Sequence, residues 1–192
     1  VERRVRTSGA DIPVIAKIEK PEAAERAEEI IKAVTAGVMI ARGDLGIELP
    51  IEQVPKVQRR LLAAAHRHLA PGGRVYADFV ARCAEFRTGR FLHRWIWPGT
   101  TSYVDLAGLV RALGGAGFHL HELGDDGLSY AWTVRDWARR LEQNCKTLAE
   151  RFGEPAVRAF LLYLWGSFHF LERGHTLAYH LVAAREPRRP VV

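Results

Sequence analysis

Two short apolar runs flank a single amphipathic stretch near the start of this chain, and their spacing leaves little choice of local topology. Ile12 to Ile18 is apolar and β-branched, with Pro13 near its start and Lys20-Pro21 at its end. Such a run reads as a buried strand of a parallel sheet. Pro21 suits the first turn of a helix, where its missing N–H has no partner to lose. Glu22 to Val34 then places Ala23, Ala24, Ala27, Ile30, Ile31 and Val34 on one face, with charges opposite. Thr35-Ala36-Gly37 stops the helix, and Val38 to Ala41 reads as a second strand. Strand, helix and strand joined this tightly form a right-handed parallel crossover.

Chemistry in such units gathers at the C-terminal ends of the strands. Lys17 and Glu19 are two apart and so point to the same side of the first strand. Asp44 follows the second strand. Two carboxylates with open positions between them suit Mg²⁺ or Mn²⁺, which favour oxygen ligands. A lysine beside them can offset charge on an enolate or a transferring phosphoryl group. A Lys17–Glu19 ion pair at the rim of a sheet is the alternative.

The phrases Val14-Ile15-Ala16-Lys17-Ile18-Glu19-Lys20-Pro21-Glu22, Gly37-Val38-Met39-Ile40-Ala41-Arg42-Gly43-Asp44-Leu45-Gly46 and Glu48-Leu49-Pro50 together resemble pyruvate kinase, from about Asp11 to Gln58. The resemblance implies that Lys17 stabilises an enolate and that Glu19 and Asp44 hold the divalent metal. It also implies that Arg42, Gly43 and Asp44 lie against pyruvate or phosphoenolpyruvate. It reaches only two strands of that family's barrel. The Thr-Gln-Met phrase expected on the next strand is replaced by Gly72-Gly73-Arg74-Val75-Tyr76-Ala77-Asp78-Phe79.

Beyond that point the pattern changes. Val57 to Leu69 reads as a helix ending at Pro71-Gly72-Gly73, and Arg74 to Val80 as an alternating strand. Leu106 to Gly117 reads as a helix and Phe118 to Leu123 as a strand. Ala131 to Phe152 and Glu154 to Arg173 read as helices, and Tyr179 to Ala184 as a closing strand. The phrases at Trp95 to Gly99, Ser129 to Thr133 and Gly174 to Val182 resemble the C-terminal half of cyclopropane-fatty-acyl-phospholipid synthases, over about Leu62 to Arg185. That family uses S-adenosylmethionine to build a methylene group across an acyl double bond, with bicarbonate taking the proton. The resemblance implies that Tyr130 helps hold the bicarbonate, and it places Asp78 where a histidine is expected.

S-adenosylmethionine enzymes of this class hold the cofactor on a glycine-rich loop after a first strand. Gly114-Gly115-Ala116-Gly117 precedes a strand instead, so it reads as a helix end and turn. The stripe Phe160, Tyr163, Trp165, Phe168 and Phe170 could line an acyl channel, but core packing of an amphipathic helix is the simpler role. His119, His121, His169, His175 and His180 are dispersed without zinc spacing and read as structural or surface residues.

Composition narrows the partners. The net charge is +6, with the surplus beyond Lys56 and its arginines scattered rather than blocked. Such a basic surplus could meet anionic lipid or nucleic acid, but an ordinary arginine-rich surface is the simpler reading. The expected partners are a small-molecule or lipid substrate with peripheral contact to an anionic membrane, and no nucleic acid. Two cysteines make no disulfide framework, and no apolar run reaches the ~18 residues of a membrane span, so a cytoplasmic setting is expected. A start at Val1 suggests a processed or partial chain.

The sequence therefore predicts an α/β protein in two parts. Residues 1–60 form a partial parallel βαβ unit of barrel type. Residues 61–192 form the C-terminal part of a Rossmann-like methyltransferase with a helical cap. The join falls within the helix around Val57 to Ala64. The larger part predicts an incomplete cyclopropane-synthase-like transferase that lacks its cofactor loop. Pyruvate kinase activity through the first part is the alternative, and a non-catalytic lipid-surface module is the second. The first 56 residues are expected to be too short to bury a stable core alone, and to pack little against the remainder of the chain. If the chain folds as one unit, Val38 to Ala41 should pair with Arg74 to Val80.

Overall fold

The computed structural model describes residues 12–34, 36–40, 53–83, 89–97 and 103–186. Arg42, Gly43 and Asp44 lie outside the described residues. The chain divides into two compact units, one of residues 1–74, 111–119 and 184–192, the other of residues 75–110 and 120–183.

In the first unit, β1 (Ile15–Ile18) and β2 (Gly37–Ile40) are parallel, with Ile15 opposite Gly37 and Ile18 opposite Ile40. The crossover between them is two short helices rather than one, α1 (Pro21–Glu25) and α2 (Ala27–Ala33), meeting at Arg26. Helix α3 (Val54–His68) completes this unit's core. Its Leu61, 1 % exposed, packs with Ile18, Ala24 and Ala27, and its Val57 lies beside them. Small side chains on α1 and α2 let the helices approach, so one leucine from α3 fills the gap. The Arg60 Nη2 donates to the Ala24 carbonyl at 2.9 Å, and Arg67 pairs with Glu28. The first 56 residues thus complete their core with side chains from beyond their own end. That corrects the expectation that they would pack little against the remainder of the chain.

The second sheet holds β3 (Arg74–Arg82), β4 (His119–Asp125) and β5 (Thr176–Ala184) in the order β3-β5-β4. The start of β3 meets the end of β5, where Gly72 N donates to Arg185 O at 2.7 Å and Arg185 N to Gly73 O at 2.9 Å. The end of β4 meets the start of β5, where Asp126 N donates to Ala178 O at 2.9 Å. So β5 runs antiparallel to both neighbours. The strands form two separate sheets among the described residues, and the pairing of Val38–Ala41 with Arg74–Val80 is not made.

After β3 the chain makes one π-helical turn, Leu92–Ile96, closed by Trp97 N on Leu92 O at 2.8 Å. Helix α4 (Leu106–Gly115) leads into β4. The stretch expected as one long helix is two, α5 (Gly127–Gln143) and α6 (Cys145–Phe152). Asn144 separates them, its side-chain amide donating to the Arg140 carbonyl at 2.8 Å. A side chain that competes in this way for backbone partners disfavours helix continuation. Helix α7 (Glu154–Glu172) follows a positive-φ Gly153 and packs along α5. Ala131, Val134 and Ala138 of α5 meet Leu164 and Leu171 of α7 and Ala178 of β5. Trp165 Nε1 donates to Glu142 at 2.8 Å across the pair. Of the aromatic stripe, Tyr163, Trp165 and Phe168 pack on this core, while Phe160 and Phe170 stay partly exposed.

Candidate functional site

The polar centre of the second unit is assembled from four elements. Tyr76 and Asp78 are two apart on β3 and so share a face. Glu122 lies on β4, His180 on β5, and Tyr130 in the first turn of α5. Asp126 is the residue from which that helix starts. The Tyr130 hydroxyl donates to Asp78 Oδ1. Burial first, then the bond to Asp78 and its charge, push the Tyr130 phenol well above the ordinary tyrosine range. The hydroxyl therefore keeps its proton and holds it towards a carboxylate.

Beside this pair, His180 is held at both ring nitrogens. Nδ1 lies 2.6 Å from Asp126 Oδ2 and Nε2 lies 3.3 Å from Glu122 Oε1. Two carboxylates, Asp126 first, raise the imidazole above its usual value and favour the doubly protonated ring, in which both nitrogens donate. The Tyr76 ring stacks on it at 6.3 Å with 17° between planes. The charges of Asp78, Asp126 and Glu122 reach Tyr76 as well, and after its partial burial they push its phenol up.

In the first unit, Lys17 and Glu19 form an exposed ion pair at the C-terminal end of β1. The structure brings these two together as expected of a strand-end pair. Tyr130 belongs to the other unit. Among the described residues, no group of three His, Cys, Asp or Glu side chains is arranged to hold a metal ion.

Sequence reasoning read His180 as structural and left out Asp126 and Glu122. A signal was present: two acids four apart, across the point where β4 gives way to α5, face a strand carrying one histidine. Only the β5–β4 pairing makes them neighbours, and that pairing joins residues more than 50 apart in sequence.

Known proteins match both parts of the chain. The profile of the pyruvate kinase barrel domain matches residues 1–71. Pyruvate kinase of Thermotoga maritima is 50 % identical over 70 residues, which are 36 % of this chain and 15 % of that enzyme. The enzyme of Mycobacterium tuberculosis is 54 % identical over 63 residues, 33 % of this chain and 13 % of that one. The chain thus spans about a seventh of the length of these relatives. The profile of mycolic acid cyclopropane synthetase matches residues 54–181, two thirds of the chain. The chain belongs to the mycolic acid cyclopropane synthetase family.

Solved structures give that family's fold. The cyclopropane synthase MmaA2 of Mycobacterium tuberculosis aligns with a TM-score of 0.65 at 15 % identity, covering 95 % of this chain and 73 % of that one. Mycolic acid cyclopropane synthase CmaA1, solved with S-adenosylhomocysteine, gives 0.65 at 13 % with the same coverage. Phosphoethanolamine N-methyltransferase 2 of Haemonchus contortus, solved with S-adenosylmethionine, gives 0.62 at 14 %, covering 96 % of this chain and 46 % of that one. The two profiles overlap from residue 54 to residue 71, and α3 lies within that overlap.

Among the described residues, neither Gly114–Gly117 nor the turn after β1 fits the cofactor of such methyltransferases. At Gly114–Gly117 the backbone N–H groups are turned back on the helix. Ala116 N bonds Ala112 O at 3.0 Å, and Gly117 N bonds Gly114 O at 3.0 Å. Gly117 takes φ +94° as the chain leaves α4. After β1 the chain runs through Lys20 into Pro21, a residue with no N–H to offer a ligand. Bicarbonate finds no better fit at Tyr130 among the described residues, since the Tyr130 hydroxyl already donates its hydrogen bond to Asp78 and the neighbouring carboxylates repel an anion. Among the described residues, no helix is long and apolar enough to cross a membrane.

Proposed function

We propose that the chain is the substrate-side portion of a cyclopropane-synthase-like transferase for unsaturated acyl lipids, and that it does not hold S-adenosylmethionine by itself. The observation that carries this reading is Tyr130. It lies inside the family match and its hydroxyl is fixed on Asp78. In this reading Asp78 is the acceptor that a proton reaches through the Tyr130 hydroxyl. The exposed Trp95 and Trp97 rings, with Arg94 over Trp95, suit contact with an anionic lipid surface.

The test follows the Tyr130 ring carbon by NMR, in protein labelled with ¹³C at tyrosine and assigned with Tyr130→Phe. Oleoyl-phosphatidylglycerol micelles should shift the Tyr130 signal, and stearoyl lipid should not. An unmoved Tyr130 signal in oleoyl lipid refutes the reading.

A second reading rests on the identity to pyruvate kinases over the first 70 residues. In it Glu19 and Asp44 bind Mg²⁺ or Mn²⁺, Lys17 offsets negative charge, and Arg42 and Gly43 border an anionic substrate. The ion pair with Lys17 engages Glu19 in the metal-free state, so metal affinity should be weak.

A further inference from the structure

We propose that His180 is a positioning residue for Tyr130: it bridges Glu122 and Asp126, and through Asp126 it fixes the helix turn that presents the Tyr130 hydroxyl to Asp78. This rests on the reading of Tyr130 as the working hydroxyl of the site.

The geometry is continuous from one group to the other. Asp126 is held three ways. Its N–H donates to Ala178 O at 2.9 Å, its carbonyl accepts Tyr130 N at 2.9 Å, and its carboxylate meets His180 Nδ1 at 2.6 Å. An aspartate at the start of a helix ordinarily turns its carboxylate onto the helix's own free N–H groups. Asp126 makes no such cap. Its carboxylate is committed to His180, while the neighbouring Asp125 takes the Gly127 N–H at 2.8 Å. The imidazole thus stands where the cap bond would be and ties the first turn of α5 to β5.

The surroundings of the ring are built for it. A Cβ on Gly124 would overlap the ring carbon between its nitrogens, so the strand leaves room only because that residue is glycine. Tyr76 covers one face, and Glu122 closes the second nitrogen. The charged and titratable groups around His180 are therefore Glu122 on β4, Asp126 before α5, and Tyr76 and Asp78 on β3, with Tyr130 on α5. A histidine that merely filled space would need no carboxylate at each nitrogen. Loss of the His180 proton leaves one nitrogen without a hydrogen to donate, and one of the two bonds breaks. The first turn of α5, and Tyr130 with it, then moves relative to Asp78.

Full-length protein carrying ¹³C in its tyrosine and histidine rings tests this without substrate. His180 should titrate with a midpoint above its ordinary 6.5. The Tyr130 ring-carbon signal should move over the same pH range, although the phenol itself stays protonated. In His180→Gln that pH response should vanish. In Asp126→Asn the His180 midpoint should fall towards the ordinary value. Gly124→Ala, which removes no titratable group, should displace the ring and shift the Tyr130 signal at fixed pH. A Tyr130 signal that stays constant through the His180 titration overturns the proposal. So does a pH response that persists in a folded His180→Gln protein. If that variant does not fold, the other two substitutions decide, and an unchanged Tyr130 signal in both is contrary. A Tyr130 that follows His180 but ignores oleoyl lipid removes the functional reading and leaves this one standing.

Discussion

Leu61→Ala probes the place where the two family matches overlap. Leu61 lies on α3, 1 % exposed, against Ile18 at 0 %, with Ala24 and Ala27 around it. Ala24 and Ala27 have no side chain to extend into the space that a lost isobutyl group leaves, and Ile18 is already fully buried. The substitution should therefore cost about 3 kcal/mol, within the range for buried leucines replaced in well-packed cores. At about 1.4 kcal/mol per tenfold, that raises the population of opened molecules in this unit about 100-fold. Native-state hydrogen exchange resolves the effect by segment. Amides of β1, β2 and α3 should lose protection by about that factor. A Leu61→Ala protein in which residues 15–40 keep their protection would refute the claim that α3 supplies the core of the βαβ unit. An equal loss at Val57→Ala would be surprising too, because Val57 sits at the margin of the same cluster.

In Asp78→Asn the Tyr130 phenol should ionise at lower pH than in the parent, because a hydrogen bond and a negative charge that favour the neutral form are both weakened. Ultraviolet difference titration reads this directly, and an unchanged or raised midpoint would contradict it. Stability should also carry a His180 signature. The imidazole is raised in the folded state, so its contribution is full below the unfolded value of 6.5 and fades as pH rises through the higher folded value. The gap in Tm between parent and His180→Gln should accordingly be larger at pH 6 than at pH 8.5, and a gap independent of pH would count against the bridge. For the first unit, Mn²⁺ should broaden signals near Glu19 weakly, and Asp44→Ala should remove that broadening. Broadening centred elsewhere speaks against the pyruvate-kinase-like site.

Much of the fold is legible in local pattern. The Pro21 start, the Gly37 stop and the apolar runs around them place β1 and β2 within a few residues of their observed bounds. The helices α5 and α7 follow from their apolar faces. What local pattern missed lies in backbone detail and in long-range pairing. Arg26 and Asn144 divide helices whose apolar periodicity continues across them, so periodicity could not reveal the breaks. The role of α3 depends on Leu61 meeting Ile18, more than 40 positions away in sequence. The site divides in the same way. Tyr130 and Asp78 both stand at positions that the family resemblance marks, but the bond between them, across 52 positions, shows only in the structure. His180 reads as an ordinary strand residue until β5 is seen beside β4, where Glu122 and Asp126 wait at its two nitrogens.

Titration calorimetry of the full chain with S-adenosylmethionine tests the account most directly, because a methyltransferase-family site is placed where the described glycines and strand ends do not make the cofactor's loop. The predicted result is binding no tighter than about millimolar, worth roughly −4 kcal/mol. Saturable micromolar binding would contradict it, and would show that residues other than a glycine-rich loop hold the cofactor.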